Sequence, residues 1–445
     1  MPASPLPNDP GTPGTSPGDA CPGALRLHAA DDGFLARVRI PGGVLDVAQA
    51  RALAGAAGRL GDGTLHLTSR GNVQLRGLRE GCGGELAEVL GRVGLLPSAA
   101  HERVRNVVAS PMSGLDGLGV VDVRGWLTGL DAALCASSVT PELSGRFLFA
   151  LDDGRGDVAG LAPDILLRGL AGGGAALSVG AAEFVVRYED AARAAVVAAE
   201  VFVAAARDVS GRRVWRVREL GLPVAELASL VADALSATGI ECSPVGGAPA
   251  MGSEPSPFRG AGNCATSDDA PARVHRSAIG DGAQATGLRP GPRSSNAGEA
   301  DFSGPSAEMP GACITARLGA ITGAQWAALT DLIAHLPARE LRLTPWRSIV
   351  IPGATPAQAE ELTRTGLVTD PDSPWTRTGA CIGRPGCAKA HADVRADAGA
   401  RHPLLPTYWS GCERRCGHPV GPYVDVVARP DGTYVVTNPP TSQPT

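Results

Sequence analysis

The chain has 445 residues, 44% hydrophobic and 19% charged, with a formal net charge of −5, a make-up that fits a soluble globular protein with room for several packed units. With 45 acidic residues against 40 basic ones, no basic face argues for a nucleic-acid partner. The longest apolar run, Ala194 to Ala206, is broken by Glu200 and is too short to cross a bilayer, so no membrane partner is expected.

Residues 1–22 lack the basic start and apolar core of a secretory signal and are expected to form a disordered leader. The expected compartment is the cytoplasm, where cysteines stay reduced. Gly33–Gly43 then reads as a strand ending in a turn, and Leu45–Leu60 as an amphipathic helix. Leu65–Gly77 alternates, with Leu65, Leu67, Val73 and Leu75 on one face. His66, Thr68, Arg70, Asn72, Gln74 and Arg76 fall on the other, and Gly71 is expected to bend or bulge the segment. A helix follows at Glu85–Leu96.

This unit recurs. Ile314–Gly323 matches the first strand and turn, and Ala324–Leu336 the helix. Leu341–Gly353 matches Leu65–Gly77 without a gap, Leu-x-Leu-Thr at its start and Gly at its end. Pro356–Gly366 supplies the second helix, with Thr355 as its N-cap. A duplicated strand–helix–strand–helix unit implies internal pseudo-two-fold symmetry.

A mixed α/β region follows each unit. After the first come Val104–Ser110, a helix near Asp122–Ala136, strands near Arg146–Leu151 and Phe184–Arg187, and helices near Ala191–Arg207 and Val224–Ala237. After the second comes a cysteine-bearing region that closes with a hairpin, Tyr423–Ala428 and Tyr434–Thr437, around Pro430-Asp-Gly432. Between the halves, residues 243–310 are rich in Gly, Ala, Ser and Pro without periodicity and are expected to be a disordered linker.

The chemistry concentrates in Cys381-Ile-Gly-Arg-Pro-Gly-Cys387 and Ser410-Gly-Cys412-Glu-Arg-Arg-Cys416-Gly-His-Pro419. Four thiolates in two tight pairs suit a [4Fe–4S] cluster, one cysteine per iron. Gly383, Pro385, Gly386, Gly411 and Gly417 suit loops that fold closely around inorganic sulfide. Structural zinc is the second reading, although its pairs are usually spaced by two to four residues. Unliganded or disulfide-bonded cysteines are the third. Cys21, Cys82, Cys135, Cys242, Cys264 and Cys313 have no paired spacing and are expected to be filler.

Taken with Leu67–Gly77, Val104-Arg-Asn-Val-Val-Ala-Ser-Pro111 and the repeat, the cysteine set resembles the sulfite/nitrite reductase superfamily over roughly residues 33–240 and 312–437, and most of all its precorrin-3B synthase branch. The resemblance implies an α+β fold: two ferredoxin-like half-repeats plus two mixed α/β siroheme-reductase-type domains. Its divisions are a leader at 1–22, repeat 1 at 23–98, α/β domain 1 at 99–242, a linker at 243–310, repeat 2 at 311–372 and a cluster-binding domain at 373–445. It implies that Cys381, Cys387, Cys412 and Cys416 hold a [4Fe–4S] cluster. It implies that Arg37, Arg39, Arg70 and Arg105 pair with the carboxylates of a tetrapyrrole, arginine suiting two-point pairing. Asn72, Arg76 and Arg146 extend that substrate set, and Arg103 and Arg384 are weaker additions from their neighbourhood.

The departures bear on the subfamily. Where sulfite reductases carry a lysine pair, this chain has Arg146 and Leu148, and Lys389 is its only lysine. Losing a cation to an apolar side chain weakens oxyanion binding. The implied activity is O2-dependent hydroxylation of precorrin-3A at C20 with γ-lactone formation, in aerobic cobalamin synthesis. The implied partners are precorrin-3A, O2 and an electron donor, NADH directly or through a reductase. A mononuclear non-haem iron is also implied. Its ligands are not readable, and His66, His391 and His418 show no 2-His-1-carboxylate spacing. The alternative is a siroheme-dependent sulfite or nitrite reductase, with siroheme as its second cofactor.

Overall fold

The structure is a computed structural model that describes residues 22–210, 212–244, 311–402, 405–419 and 421–438. The expected leader, apart from Pro22, and the expected linker, apart from Ser243 and Pro244, lie outside the described residues. Those two residues complete the strand Cys242–Pro244, which runs across the boundary expected at 242/243.

Both repeats are built by the same local chemistry. Asp46 accepts from the backbone of Gln49 at 2.7 Å while the Gln49 side chain accepts from Asp46 N–H at 3.1 Å. Thr322 and Gln325 form the matching box. These reciprocal caps start the helices at Val47 and Gly323, so Val47–Leu60 and Gly323–Ala334 are helical and the residues before each cap stay extended. Those extended residues do not join their own repeat. Val44–Asp46 pairs antiparallel with Glu340–Leu343, Leu45 opposite Leu341. Ala320–Thr322 pairs antiparallel with Thr64–Leu67, Ile321 opposite Leu65. Each repeat thus lends the other an edge strand, giving one five-stranded and one four-stranded sheet.

One hydrophobic core serves both repeats. Leu45, Leu65, Leu75, Ile321, Trp326 and Leu341 are fully buried in it. Trp326 also donates its indole N–H to Ala50 O at 2.8 Å across the two helices.

The alternating stretch Leu65–Gly77 is a hairpin rather than one bent strand. Its arms are Thr64–Leu67 and Val73–Leu78, and Thr68 N–H closes the turn on Asn72 O at 2.9 Å. The turn occupies residues 68–72, so the inward phase set by Leu67 resumes at Val73 and the alternation hides the reversal. In the second repeat, Glu340–Leu343 and Ser348–Pro352 form the same hairpin, with Thr344 N–H on Ser348 O at 2.9 Å. Gly71 has φ +65° there and Arg347, its equivalent, has φ +63°. A left-handed backbone costs a non-glycine residue about 1–2 kcal/mol.

The domain after repeat 1 is a six-stranded sheet running Cys242–Pro244, Ala182–Arg187, Gly174–Val179, Ile165–Gly169, Phe149–Asp152, Val107–Ala109. The helices Arg124–Ala136, Ala191–Asp208 and Val224–Ala237 share its main core. A separate small cluster of Val108, Leu148, Ala150 and Val158 is packed by Trp346 from the second-repeat turn.

The domain after repeat 2 contains the strands Thr378–Ala380, Thr407–Ser410 and Val424–Ala428, all parallel, with Tyr434–Thr437 antiparallel at the edge. The expected closing hairpin is present around its glycine turn. Because Ala380 lies opposite Trp409, both cysteine segments leave the carboxyl ends of adjacent parallel strands, where open α/β sheets place their ligands.

Trp326 belongs to the shared core, so Trp326→Ala should destabilise the protein by about 3–5 kcal/mol in chemical denaturation monitored by circular dichroism. A loss below about 1 kcal/mol would mean that the two halves are not one cooperative unit.

Candidate functional site

Cys381 follows the strand Thr378–Ala380, and Cys412 lies two residues past the strand Thr407–Ser410. Gly411 N–H donates to Cys381 Sγ at 3.1 Å. Burial pushes the Cys381 thiol up, and Cys416 and Cys412 push it further. Cys416 is raised by burial first, with Cys412 and Cys387 adding to it. The four sulfurs therefore share one electrostatic environment, in which bound metal would favour the thiolates.

All four are free thiols, three half-buried and Cys416 exposed. No three of them lie within 4.8 Å of one another. A tetrahedral zinc with sulfur ligands at 2.3 Å draws its sulfurs to about 3.8 Å. A cluster spreads its thiolates over four irons and holds them further apart. Four cysteine sulfurs in two pairs are a donor set that fits a [4Fe–4S] cluster, one thiolate per iron.

The first cysteine loop is fastened to repeat 1. Arg76 is buried and pairs with Asp32 at two points, 2.7 and 2.8 Å, while its Nη2 also donates to Gly386 O at 2.8 Å. Ala388 N–H donates to Asp31. A Cβ at Gly386 would stand 2.8 Å from Asp32 Oδ2 and 3.3 Å from Arg76 Nη2, and one at Gly411 would stand 2.6 Å from Ala390 Cβ. These glycines admit neighbouring protein at close range, where the sequence suggested room for sulfide.

Beside the thiols lies a group that the motifs did not reveal. Arg347 Nη2 donates to Gly417 O at 2.9 Å, and its guanidinium lies 5.6 Å from the centre of the Tyr408 ring. Tyr408 is buried, donates to Cys416 O at 2.6 Å, and is pushed up to about 12 by burial. Arg395 Nη2 donates to Leu318 O at 3.1 Å. Burial, then the Arg347 charge, lowers its pKa. His66 is pushed down to about 3 by burial, then by Arg395 and Arg76, so it is a neutral imidazole near pH 7. The repeat held the one available signal: aligned on Leu-x-Leu-Thr, it sets Arg347 against Gly71.

The expected arginines separate into two kinds. Arg39 is buried and donates to Asn106 Oδ1 at 3.2 Å, Arg103 O at 3.2 Å and Gly145 O at 2.9 Å. Asn72 is buried, accepts from Ile40 N–H at 2.8 Å and donates to Asn106 Oδ1 at 3.1 Å. Arg105 is buried and pairs with Asp131 at two points, both 2.7 Å, with Leu95 O as a further acceptor at 3.0 Å. These three, and Arg76, join elements of the chain to one another. Arg37, Arg70 and Arg103 are half-buried, while Arg146 is exposed, its guanidinium 5.1 Å from the centre of the Trp215 ring. Arg384 is exposed and donates to Ala390 O at 2.7 Å. Leu148 is buried in the apolar cluster that Trp346 packs.

Of the histidines, His391 is exposed, with its backbone N–H on Gly411 O at 2.7 Å, and His418 stacks on Tyr423 with ring centres 5.6 Å apart. Among the described residues no pair of histidines meets a carboxylate closely enough to share a metal ion.

Asp152, Asp153 and Asp157 do converge within 4.8 Å, but protein donors occupy them. Asp152 accepts from Gly154 and Gly156 N–H at 2.9 and 2.8 Å, Asp153 pairs with Arg155 at 2.7 Å, and Asp157 accepts from Ser110 Oγ at 2.6 Å. Burial, with Asp152 and Asp153 adding to it, pushes Asp157 up from 3.8 to about 7. Its folded-state pKa exceeds the unfolded one, so its contribution to stability is present below about pH 4 and is lost as pH rises through about 7. Asp157→Asn should raise stability at pH 8 by about 1–2 kcal/mol, a figure discounted for partial exposure, and change little at pH 4. Equal thermal shifts at both pH values would contradict this reading of Asp157.

The family described as "Nitrite/Sulfite reductase ferredoxin-like half domain" matches residues 27–91 and 312–365, the two repeats. A ferredoxin–nitrite reductase from Synechococcus elongatus is 38% identical over 128 residues, 27% of this chain and 25% of that protein. The chain thus spans about a quarter of that relative. A precorrin-3B synthase from Sinorhizobium sp is 26% identical over 456 residues, 98% of this chain and 86% of that protein. The solved structure of the Mycobacterium tuberculosis NirA protein superposes with a TM-score of 0.63 at 19% identity, covering 91% of this chain and 73% of that one. The resemblance and the α+β architecture read from the sequence are borne out: two stretches of the chain match the reductase half-domain model, and the fold is similar to that of NirA.

Proposed function

We propose that this chain is a precorrin-3B synthase, an oxidoreductase that uses O2 and external electrons to hydroxylate precorrin-3A at C20 and close a γ-lactone. The observation that carries the reading is the environment of position 148. Where the resembling sulfite reductases place a second lysine, Leu148 is buried among Val108, Ala150 and Val158, packed by Trp346. An apolar wall there disfavours a desolvated oxyanion and suits a small neutral oxidant. Similarity along 98% of the chain to a precorrin-3B synthase supports the same choice.

Each part of the site then has a task. Arg37, Arg70 and Arg146, which solvent can reach, take ring carboxylates of the substrate. Arg39, Asn72, Asn106 and Arg105 hold the elements around them in register. Cys381, Cys387, Cys412 and Cys416 hold the cluster, which supplies electrons one at a time when bound. Arg76 and Asp32 fix the first cysteine loop against repeat 1. Reducing equivalents come from NADH directly or through a reductase. The mononuclear iron implied by the resemblance is left unassigned; the close donor group among the described residues, Asp152, Asp153 and Asp157, contains no histidine. No helix among the described residues is long and apolar enough to cross a membrane, and the reading keeps the cytoplasm as the compartment.

A siroheme-dependent sulfite or nitrite reductase is the second reading, favoured by the 38% identity to a nitrite reductase over 128 residues. Purified protein given precorrin-3A, reductant and 18O2 should place label in the new hydroxyl, should lack siroheme bands, and should form no sulfide from sulfite. Siroheme absorption with enzymatic reduction of sulfite or nitrite, and no oxygen-dependent change in precorrin-3A, would replace the first reading with the second.

A further inference from the structure

Arg347 and Arg395 form a cationic pair with no ion-paired carboxylate among the described residues. The oxygens that they reach are the carbonyls of Gly417 and Leu318, at 2.9 and 3.1 Å. Among the described residues neither forms an ion pair, their side-chain acceptors being backbone carbonyls. Asp393, near Arg395 in sequence, directs its carboxylate to the backbone N–H groups of Arg395 and Ala396. The charges that act on Arg395 are Arg347, which lowers its pKa, and Tyr408, Cys381 and Asp393, which raise it. Two like charges held close together at a site with four thiols call for an anion in their midst.

The turn itself does not need the arginine. Arg347 N–H bonds Thr344 O at 3.1 Å, as Gly71 N–H bonds Thr68 O at 3.2 Å. Ser348 N–H bonds Thr344 Oγ1 at 3.1 Å, as Asn72 N–H bonds Thr68 Oγ1 at 3.1 Å. Both turns adopt the same left-handed φ, +63° and +65°. Glycine builds this turn in one repeat, and the other carries a side chain that the conformation disfavours. An unfavourable conformation kept at a ligand junction points toward function rather than folding.

We infer that Arg347 and Arg395 are positioning cations for the iron–sulfur cluster and hold its reduction potential up. This rests on the reading that Cys381, Cys387, Cys412 and Cys416 bind that cluster. A four-thiolate cluster becomes more negative by one charge when it accepts an electron from an external donor. A fixed cation within a few ångströms stabilises the reduced form more than the oxidised one. Arg347 acts through the Gly417 and Tyr408 side of the second cysteine pair, and Arg395 through Cys381.

The test is a potentiometric titration with dithionite, followed by electron paramagnetic resonance, on the intact protein and on Arg347→Gly, Arg347→Lys and Arg395→Met. Arg347→Gly should keep its iron and sulfide and melt no lower than the unaltered protein. At the unaltered midpoint potential its reduced-to-oxidised ratio should fall three- to tenfold, a shift of about 30–59 mV for a one-electron couple. Arg347→Lys should restore most of the potential, and Arg395→Met should shift it in the same direction as Arg347→Gly. If Arg347→Gly loses its cluster, Arg395→Met decides alone. Unchanged potentials in cluster-bearing variants would overturn the inference and leave the cluster reading standing. An unaltered protein without stoichiometric iron, sulfide and a four-iron signal would overturn both.

Discussion

Each ferredoxin-like half completes a sheet with a strand taken from the other half. Val44–Asp46 lies against Glu340–Leu343, and Ala320–Thr322 against Thr64–Leu67. Neither half has a finished sheet alone, so the apolar faces of both close into one core around Leu45, Ile321 and Trp326. Edge strands left unpaired invite wrong pairing, and reciprocal exchange removes one such edge from each half. Exchange also fixes the two hairpin turns relative to each other, and every larger domain docks against those hairpins.

From that frame the repeats diverge in what they carry. The outer face of the first hairpin and its neighbours meet the cysteine domain, through Arg76 on Gly386 O and Asp31 on Ala388. The second hairpin meets the six-stranded domain, where buried Arg342 donates to Pro111 O and Ser113 O at 2.9 and 2.7 Å. Its turn reaches both domains, with Trp346 on the Leu148 cluster and Arg347 on Gly417. Symmetry therefore supplies the scaffold, and the equivalent turn positions carry different side chains. Trp346, which packs the Leu148 cluster, and Arg347, which reaches Gly417, are adjacent residues of one turn.

Much of this was legible in the sequence because the signals were local. The capping residues Asp46, Thr322 and Thr355, the alternation of Leu65, Leu67, Val73 and Leu75, and the tight cysteine spacings each have a short-range physical cause. What escaped had long-range causes. Val44–Asp46 reads as a helix start because its strand partner is almost three hundred residues away. The strands Ile165–Gly169 and Gly174–Val179 meet at Gly172, Gly173 and Gly174, a glycine run that masks the hairpin. Composition also cannot tell an arginine that faces a ligand from one that ties the chain together. Arg39, Asn72 and Arg105 match the reductase motifs, yet their side-chain bonds are to Asn106, Ile40, Asp131 and backbone carbonyls. Arg395 sits on the four-residue helix Val394–Asp397, where no spacing rule draws attention to it.

In the proposed function, Cys381, Cys387, Cys412 and Cys416 hold a four-iron cluster at this junction rather than a zinc ion. Anaerobic purification followed by Mössbauer spectroscopy and iron, sulfide and zinc analysis tests it most directly, on the unaltered protein and on Cys412→Ser. About four irons and four sulfides per chain are expected, with the spectrum of a [4Fe–4S] centre, and loss of most of both in Cys412→Ser. One tightly held zinc per chain without sulfide, or a full cluster surviving in Cys412→Ser, would contradict it.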